Sequence, residues 1–266
     1  VQRLDVELIR RGLARSREHA VELISAGRVQ VRGVVAAKPA SGVGVDTPVR
    51  VVPDSDDPGY ASRGGHKLAG ALAAFADVRV DGKRCLDAGA STGGFTDVLL
   101  RAGAAEVVAV DVGYGQLTWA LRSEERVRVI DRTNVRTLTP EQIGGRADLT
   151  VADLSFISLG LVLPALAACT EPDGDLLPMV KPQFEVGRER LGSGGVVRDP
   201  RLRAEVVLGV AHAAAALGWH AAGVIRSPLP GPAGNVEFFL WLRRTGATMI
   251  DDSEITTIVA TAEEEQ

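Results

Sequence analysis

The chain has 266 residues, 45% of them hydrophobic and 24% charged. That is ordinary globular composition, with room for one large domain or for one domain plus a small module. The net charge of −4 argues against nucleic acid only until it is located. Residues 246–266 hold six acids and no lysine or arginine, and without them 30 basic residues face 28 acidic ones. Residues 1–45 carry eight basic side chains against four acidic, the footprint of a phosphate binder.

Leu4 and Leu8 share a helical face, and Ser16 reads as the N-cap of a second helix with Ala20, Leu23 and Ile24 inward and Gly27 at its end. Val29 and Val31 alternate before a turn at Arg32–Gly33, and extended chain follows to Val52. Two helices and a small sheet make a compact module over 1–58. Its expected phosphate-binding set is Arg3, Arg11, Arg15, Arg17, Arg28, Arg32 and Lys38. Two prolines, a glycine and three aspartates in 53–59 read as a linker. The domain plan is therefore a basic module (1–58), a junction (59–63), a large α/β domain (64–245) and an acidic, flexible tail (246–266).

Ser62-Arg-Gly-Gly-His-Lys67 opens a helix with Leu68, Leu72 and Phe75 on its core face. Lys67 in its first turn opposes the macrodipole, which points to another task for that cation. The organising stretch is RCLDAGASTGGFTDVLLR, residues 84–101. A short strand ends on Asp87, a small-residue loop carries Gly89, Ala90, Ser91 and Gly93, and a helix begins near Phe95. Strand, glycine turn and helix build a cofactor pocket in doubly wound sheets. The D-x-G-x-x-x-G spacing lacks the G-x-G-x-x-G pyrophosphate fingerprint, which argues against a nicotinamide oxidoreductase. An acidic loop suits the cationic S-adenosylmethionine better.

Apolar runs at 107–110, 127–130, 149–152 and 176–180 then end on Asp111, Asp131, Asp153 and Lys181. These read as parallel strands with their charges at the carboxyl edge, where ligands bind. Asp199 and Pro200 start a strong helix. A final hairpin over 221–225 and 236–242 places an antiparallel strand in the sheet and Glu237 at the same edge. The predicted fold is thus a Rossmann-like α/β sheet with an antiparallel last strand, plus a small α+β N-terminal domain. Lys67, Asp153, Lys181 and Glu237, from four separate elements, converge beside the glycine loop, which favours catalysis over four unrelated ion pairs.

Cys85 and Cys169 lie in apolar segments and suit reduced thiols in a cytoplasmic protein. No signal peptide is visible. The longest uncharged run, 154–170, is short for a bilayer and holds Pro164, so stable membrane insertion is not expected. The chain begins at Val1 rather than Met, so a few leading residues are expected to be missing. A monomer is expected. No Cys/His cluster has metal-ligand spacing.

Taken together, SRGGHKL, CLDAGASTGGFTD, VADLSFIS, VKPQFEVG and GNVEFFLWL resemble the TlyA (haemolysin A-like) ribosomal RNA methyltransferases, relatives of the FtsJ 2′-O-methyltransferases. The front end resembles the RNA-binding fold of a small-subunit ribosomal protein. The resemblance implies a catalytic tetrad of Lys67, Asp153, Lys181 and Glu237. It also implies cofactor contacts at Asp87, Gly89, Gly93 and Phe95, Asp111 on the ribose hydroxyls and Asp131 near the adenine. It further implies cytidine 2′-O-methylation in small- and large-subunit ribosomal RNA, and sensitivity to cyclic-peptide antibiotics such as capreomycin. Where the family often has an aromatic-rich segment before SRG, this chain has Gly59-Tyr60-Ala61.

In this reading Lys181 is the base, Asp153 orients it, Lys67 adds positive potential, and Glu237 holds the lysines or the ribose in register. The rivals are a membrane-active haemolysin and a ribosome-assembly factor that binds RNA and cofactor without turnover.

Overall fold

The computed structural model describes residues 2–14, 17–52, 58–187, 189–246 and 248–261. Arg15, the Ser16 cap and the linker core 53–57 lie outside the described residues. The chain divides into two compact units, Val1–Gly59 and Tyr60–Gln266.

In the first unit β1 (Gln2–Arg3) leads into α1 (Leu4–Arg10) and α2 (Arg17–Ser25), followed by β2 (Val29–Val31), β3 (Val34–Val35), β4 (Gly42–Val43) and β5 (Val49–Val51). β1 pairs with β4, and β2 lies between β3 and β5. Arg32 and Gly33 take φ of 52° and 81°, the positive pair a two-residue hairpin needs to match strand twist. Leu4, Leu8, Ala20, Leu23, Ile24 and Val29 form its core.

Two carboxylates are buried in this unit. Asp5 accepts from Arg3 at 2.9 Å and Arg17 at 3.0 Å, and Glu7 from Arg10 and Arg11, both at 2.6 Å. The arginines hold both carboxyls well below the usual range. The expected phosphate-binding set divides by its contacts within the fold. Arg11 is spent inside the fold, because its guanidinium also donates to the carbonyls of Gly44, Val45 and Thr47. Arg3 and Arg17 share Asp5 while staying largely exposed. Arg28 donates to the Val52 carbonyl, whereas Arg32 and Lys38 stand on the surface.

The second unit begins with α3 (Gly64–Ala74), β6 (Arg84–Ala88), α4 (Gly94–Arg101), β7 (Glu106–Val110), α5 (Trp119–Arg122), β8 (Val127–Ile130), α6 (Pro140–Ile143) and β9 (Ala147–Ala152). It continues with α7 (Leu159–Cys169), β10 (Thr170–Val180), α8 (Pro182–Glu185), α9 (Pro200–Ala215), β11 (His220–Arg226), β12 (Phe238–Arg243) and α10 (Asp252–Thr261). The seven strands run in the order β11-β12-β10-β9-β6-β7-β8. β12 is antiparallel to both of its neighbours, and β10, β9, β6, β7 and β8 are parallel. β6 and β9 are central strands with helices over both faces, which buries even the polar Asp87 and Thr150. α3 and α4 supply one core layer, and α7, α9 and α10 the other.

Within the acidic tail, residues 252–261 form α10. Asp251 and Glu254 cap each other's backbone N–H at 2.8 and 2.9 Å, a reciprocal box at the start of α10. One turn apart, Ile255 and Val259 are buried in the core. Burial of those two side chains outweighs the repulsion among exposed acids.

Candidate active site

Every parallel strand delivers a loop to one edge, and the tetrad expected from the sequence meets there as two ion pairs. Lys181, the N-cap of α8, lies 2.5 Å from Asp153 Oδ1 and donates to Ser155 Oγ at 3.0 Å. Lys67, one turn into α3, donates to Glu237 Oε2 at 2.6 Å, and Gln183 Nε2 donates to the other oxygen at 3.1 Å. Lys67, Lys181 and Glu237 are buried, and Asp153 is partly so. Each lysine thus faces a carboxylate rather than the other lysine. Lys181 donates one N–H to Ser155 Oγ, while Asp153 Oδ1 stands 2.5 Å away as its counter-charge without a hydrogen bond, so the nitrogen keeps capacity to meet a substrate oxygen.

The SRGG stretch explains how Lys67 reaches the edge. Ala61 N donates to Asp97 Oδ2 at 2.8 Å, which latches the chain before α3 onto α4. A Cβ on Gly94 would stand 2.8 Å from Gly65 N, so only glycine lets the two helix starts approach this closely.

Several expected cofactor residues make contacts that shape the loop. β6 runs one residue further than expected, so Asp87 lies inside it, fully buried, accepting from Thr96 Oγ1 at 2.6 Å. Phe95 is buried with its ring 5.9 Å from Phe239. Gly89 has φ +91°, and a Cβ there would sit 2.5 Å from the Asp153 carbonyl oxygen; at Gly93 it would strike Leu117 and Leu121. Ala90 is buried, and its N–H goes to the Val110 carbonyl at 3.1 Å. Ser91 is exposed at φ +47° and donates from its backbone N to Asp111 Oδ2 at 2.7 Å, while Gly113 N donates to Oδ1 at 2.7 Å. Asp131 accepts from Arg122 at 2.9 Å and Gly115 N at 3.2 Å.

The site's charge fits a cationic cofactor. Burial pushes the Asp87 carboxyl up to about 7; the Thr96 hydroxyl works against this, and the negative charges of Asp153 and Asp111 add to it. Asp87 Oδ1 has no hydrogen-bond partner among the described residues. Carboxylates that repel one another around a loop make a place for a sulfonium or ammonium group, not for a pyrophosphate. A stability consequence follows from the sign of that shift. A carboxyl raised from 3.8 to about 7 contributes fully below pH 4, and its contribution is lost as pH rises through 7. Asp87→Asn keeps an acceptor for Thr96 and removes the titration. It should flatten the pH dependence of urea midpoints between pH 4 and 8 by on the order of 4 kcal/mol. Equal pH dependence in wild type and variant would refute the buried-carboxyl assignment.

Sequence reasoning missed Phe156. It is 90% exposed, has φ +64°, and its ring lies 5.1 Å from Phe184, whose ring centre is 5.9 Å from Lys181 Nζ. It is a bulky residue with positive φ and an open face, three residues past Asp153. The available signal was an aromatic in a loop at the carboxyl end of a strand.

A strand order with an antiparallel β12 between β10 and β11, and paired lysines at the carboxyl edge, define a methyltransferase-type α/β domain beside a small RNA-binding-type module. The FtsJ-like methyltransferase family model matches residues 60–244 and the S4 domain model residues 2–49. The chain belongs to the FtsJ-like methyltransferases and carries an N-terminal S4 domain. It is 64% identical to the 16S/23S rRNA (cytidine-2′-O)-methyltransferase TlyA of Mycobacterium tuberculosis, covering 91% of this chain and 89% of that protein. It is 35% identical to Hemolysin A of Brachyspira hyodysenteriae, over 89% of this chain and 97% of that protein. A solved hemolysin-named structure from Streptococcus thermophilus superposes with a TM-score of 0.80 at 39% identity, covering 99% of this chain and 96% of that one. Among the described residues no helix is long and apolar enough to cross a membrane, and no His/Cys/Asp/Glu group could hold a metal.

Proposed function

We propose that this chain transfers a methyl group from S-adenosylmethionine to the ribose 2′-hydroxyl of cytidine in small- and large-subunit ribosomal RNA. The observation that carries the reading is the Lys181–Asp153 pair at the carboxyl edge, one strand end from a loop ringed by carboxylates. The 64% identity to an enzyme of that name supports the substrate. S-adenosylmethionine would supply the electrophilic methyl, held by the 89–94 loop, with Asp111 on the ribose hydroxyls and Asp131 near the adenine. A ribose hydroxyl is a very weak acid, so the protein must position it and take its proton. In its neutral amine form, with one proton already released to solvent, Lys181 takes the hydroxyl proton on its Nζ lone pair, and Asp153 and Ser155 fix the amine's direction. Lys67 and Glu237 set the charge beside it. Phe156 and Phe184 offer the target base an aromatic face, as unpaired bases in RNA sites require.

Incubation with S-adenosylmethionine and purified ribosomal subunits, followed by mapping of 2′-O-methyl groups, tests the reading; no methyl on any cytidine of either subunit would reject it. Asp111→Ala should weaken S-adenosylmethionine binding by roughly 1.5–3 kcal/mol in calorimetry, the worth of a charge-assisted hydrogen bond. NAD binding as tightly as S-adenosylmethionine would overturn the cofactor. Deleting residues 1–59 should leave cofactor binding intact and weaken RNA binding by more than about tenfold. Arg32→Glu with Lys38→Glu should reduce the salt dependence of RNA affinity. Methylation of subunits by the truncated chain at the full rate would remove the S4 unit from recognition.

A further inference from the structure

Two loops at the carboxyl edge, 153–158 after β9 and 181–185 after β10, are joined by a series of contacts. Asp153 meets Lys181 at 2.5 Å, Lys181 donates to Ser155 Oγ at 3.0 Å, and the Phe156 and Phe184 rings lie 5.1 Å apart. At the far end, Ser158 Oγ donates to Glu185 Oε2 at 2.6 Å and Leu159 N to Oε1 at 2.7 Å. The first three contacts involve groups already given roles in the reaction, and the last does not. Glu185 lines a separate cleft of about 290 Å³ with Arg190, Glu205 and Gly209.

Resting on the methyltransferase reading, we propose that Glu185 is a positioning residue for that site. By bracing the loop of Asp153 and Phe156 against the turn of Lys181 and Phe184, it holds the ion pair and the aromatic platform in register. Three observations support this. α8 is a single turn with Lys181 as its N-cap and Glu185 as its last residue, so a displacement at one end is felt at the other. Phe156 sits at φ +64°, a conformation that persists only where both flanks are held. One flank is tied by Asp153 N donating to the Ala88 carbonyl at 3.1 Å, and the other by Glu185. Ser158 Oγ also accepts from Gly160 N at 3.3 Å, so the same carboxylate anchors the start of α7.

The test uses the full-length chain, S-adenosylmethionine and ribosomal subunits, read by single-turnover methyl transfer. Glu185→Gln keeps the shape but cannot accept from both donors without rearrangement. Its rate should fall by about 30- to 100-fold, the size expected of an ångström-scale misplacement. Cofactor and RNA affinities should stay within about twofold, and Glu185→Asp, one methylene short, should not restore the rate. Phe156→Ala should cost much less in the Glu185→Gln background than in wild type, because the platform is already displaced. Ser158→Ala removes one of the two donors and should lose about fivefold, which keeps the test open if Glu185→Gln folds poorly. A wild-type rate in Glu185→Gln and Ser158→Ala, additive losses with Phe156→Ala, or parallel loss of cofactor affinity would overturn the proposal. A wild-type chain that transfers no methyl defeats the function reading instead, so the two failures are told apart in one assay.

Discussion

Lys181→Ala is expected to abolish methyl transfer, by about 10³-fold or more, with S-adenosylmethionine and RNA affinities almost unchanged, because the side chain acts on a proton that moves only during reaction. Its structural cost is bounded, since Asp153 is partly exposed and water can replace the ammonium. Lys181→Arg should fail equally. A guanidinium can still pair with Asp153, and does so well, but it cannot give up its proton in a protein. Single-turnover rates with radiolabelled cofactor decide the matter. An active arginine variant would mean that position 181 supplies charge alone, and Asp153 would become the candidate base.

How this site was legible in the chain is a matter of strand ends. Asp153 and Lys181 each close an apolar run, so once a parallel sheet is inferred their meeting is a consequence of topology. Glu237 followed from the reversed last strand, and Lys67 from a cation placed against a helix dipole. Residues whose role depends on side-chain packing were not legible in this way. Asp87 reads as a strand-ending ligand, but β6 continues one residue and turns it into a buried partner of Thr96. Arg11 reads as one more surface cation, yet three carbonyls and Glu7 consume it.

The tail carries a helix that its charge obscures. Its charge suggested flexibility, although Asp251-x-x-Glu254 followed by Ile255 and Val259 has the spacing of a capped amphipathic helix. Before Lys181, β10 starts at Thr170, ahead of the apolar run 176–180, and carries Pro172 and Gly174 through a register shift before Asp175.

The Lys67–Glu237 pair should show the largest stability effect. Its side chains are 10% and 0% exposed, and Gly231 leaves the space the carboxylate occupies, since a Cβ there would overlap it. Glu237→Gln preserves volume and an acceptor for Gln183 but leaves the Lys67 ammonium buried without a counter-charge. Removing one member of a buried pair costs roughly 3–5 kcal/mol, so the urea midpoint should drop sharply at constant m-value. Adding Lys67→Met removes the orphaned charge, and most of the lost stability should return, because a neutral pair of similar size carries no desolvation penalty. Methyl transfer should not return with it. Stability restored without activity would separate the pair's structural part from its electrostatic part in the reaction. If the double variant regains both, the pair is a packing element, and the charge that assists Lys181 lies elsewhere. If Glu237→Gln alone loses less than about 0.5 kcal/mol, the pair is screened like a surface bridge and its burial has been misjudged.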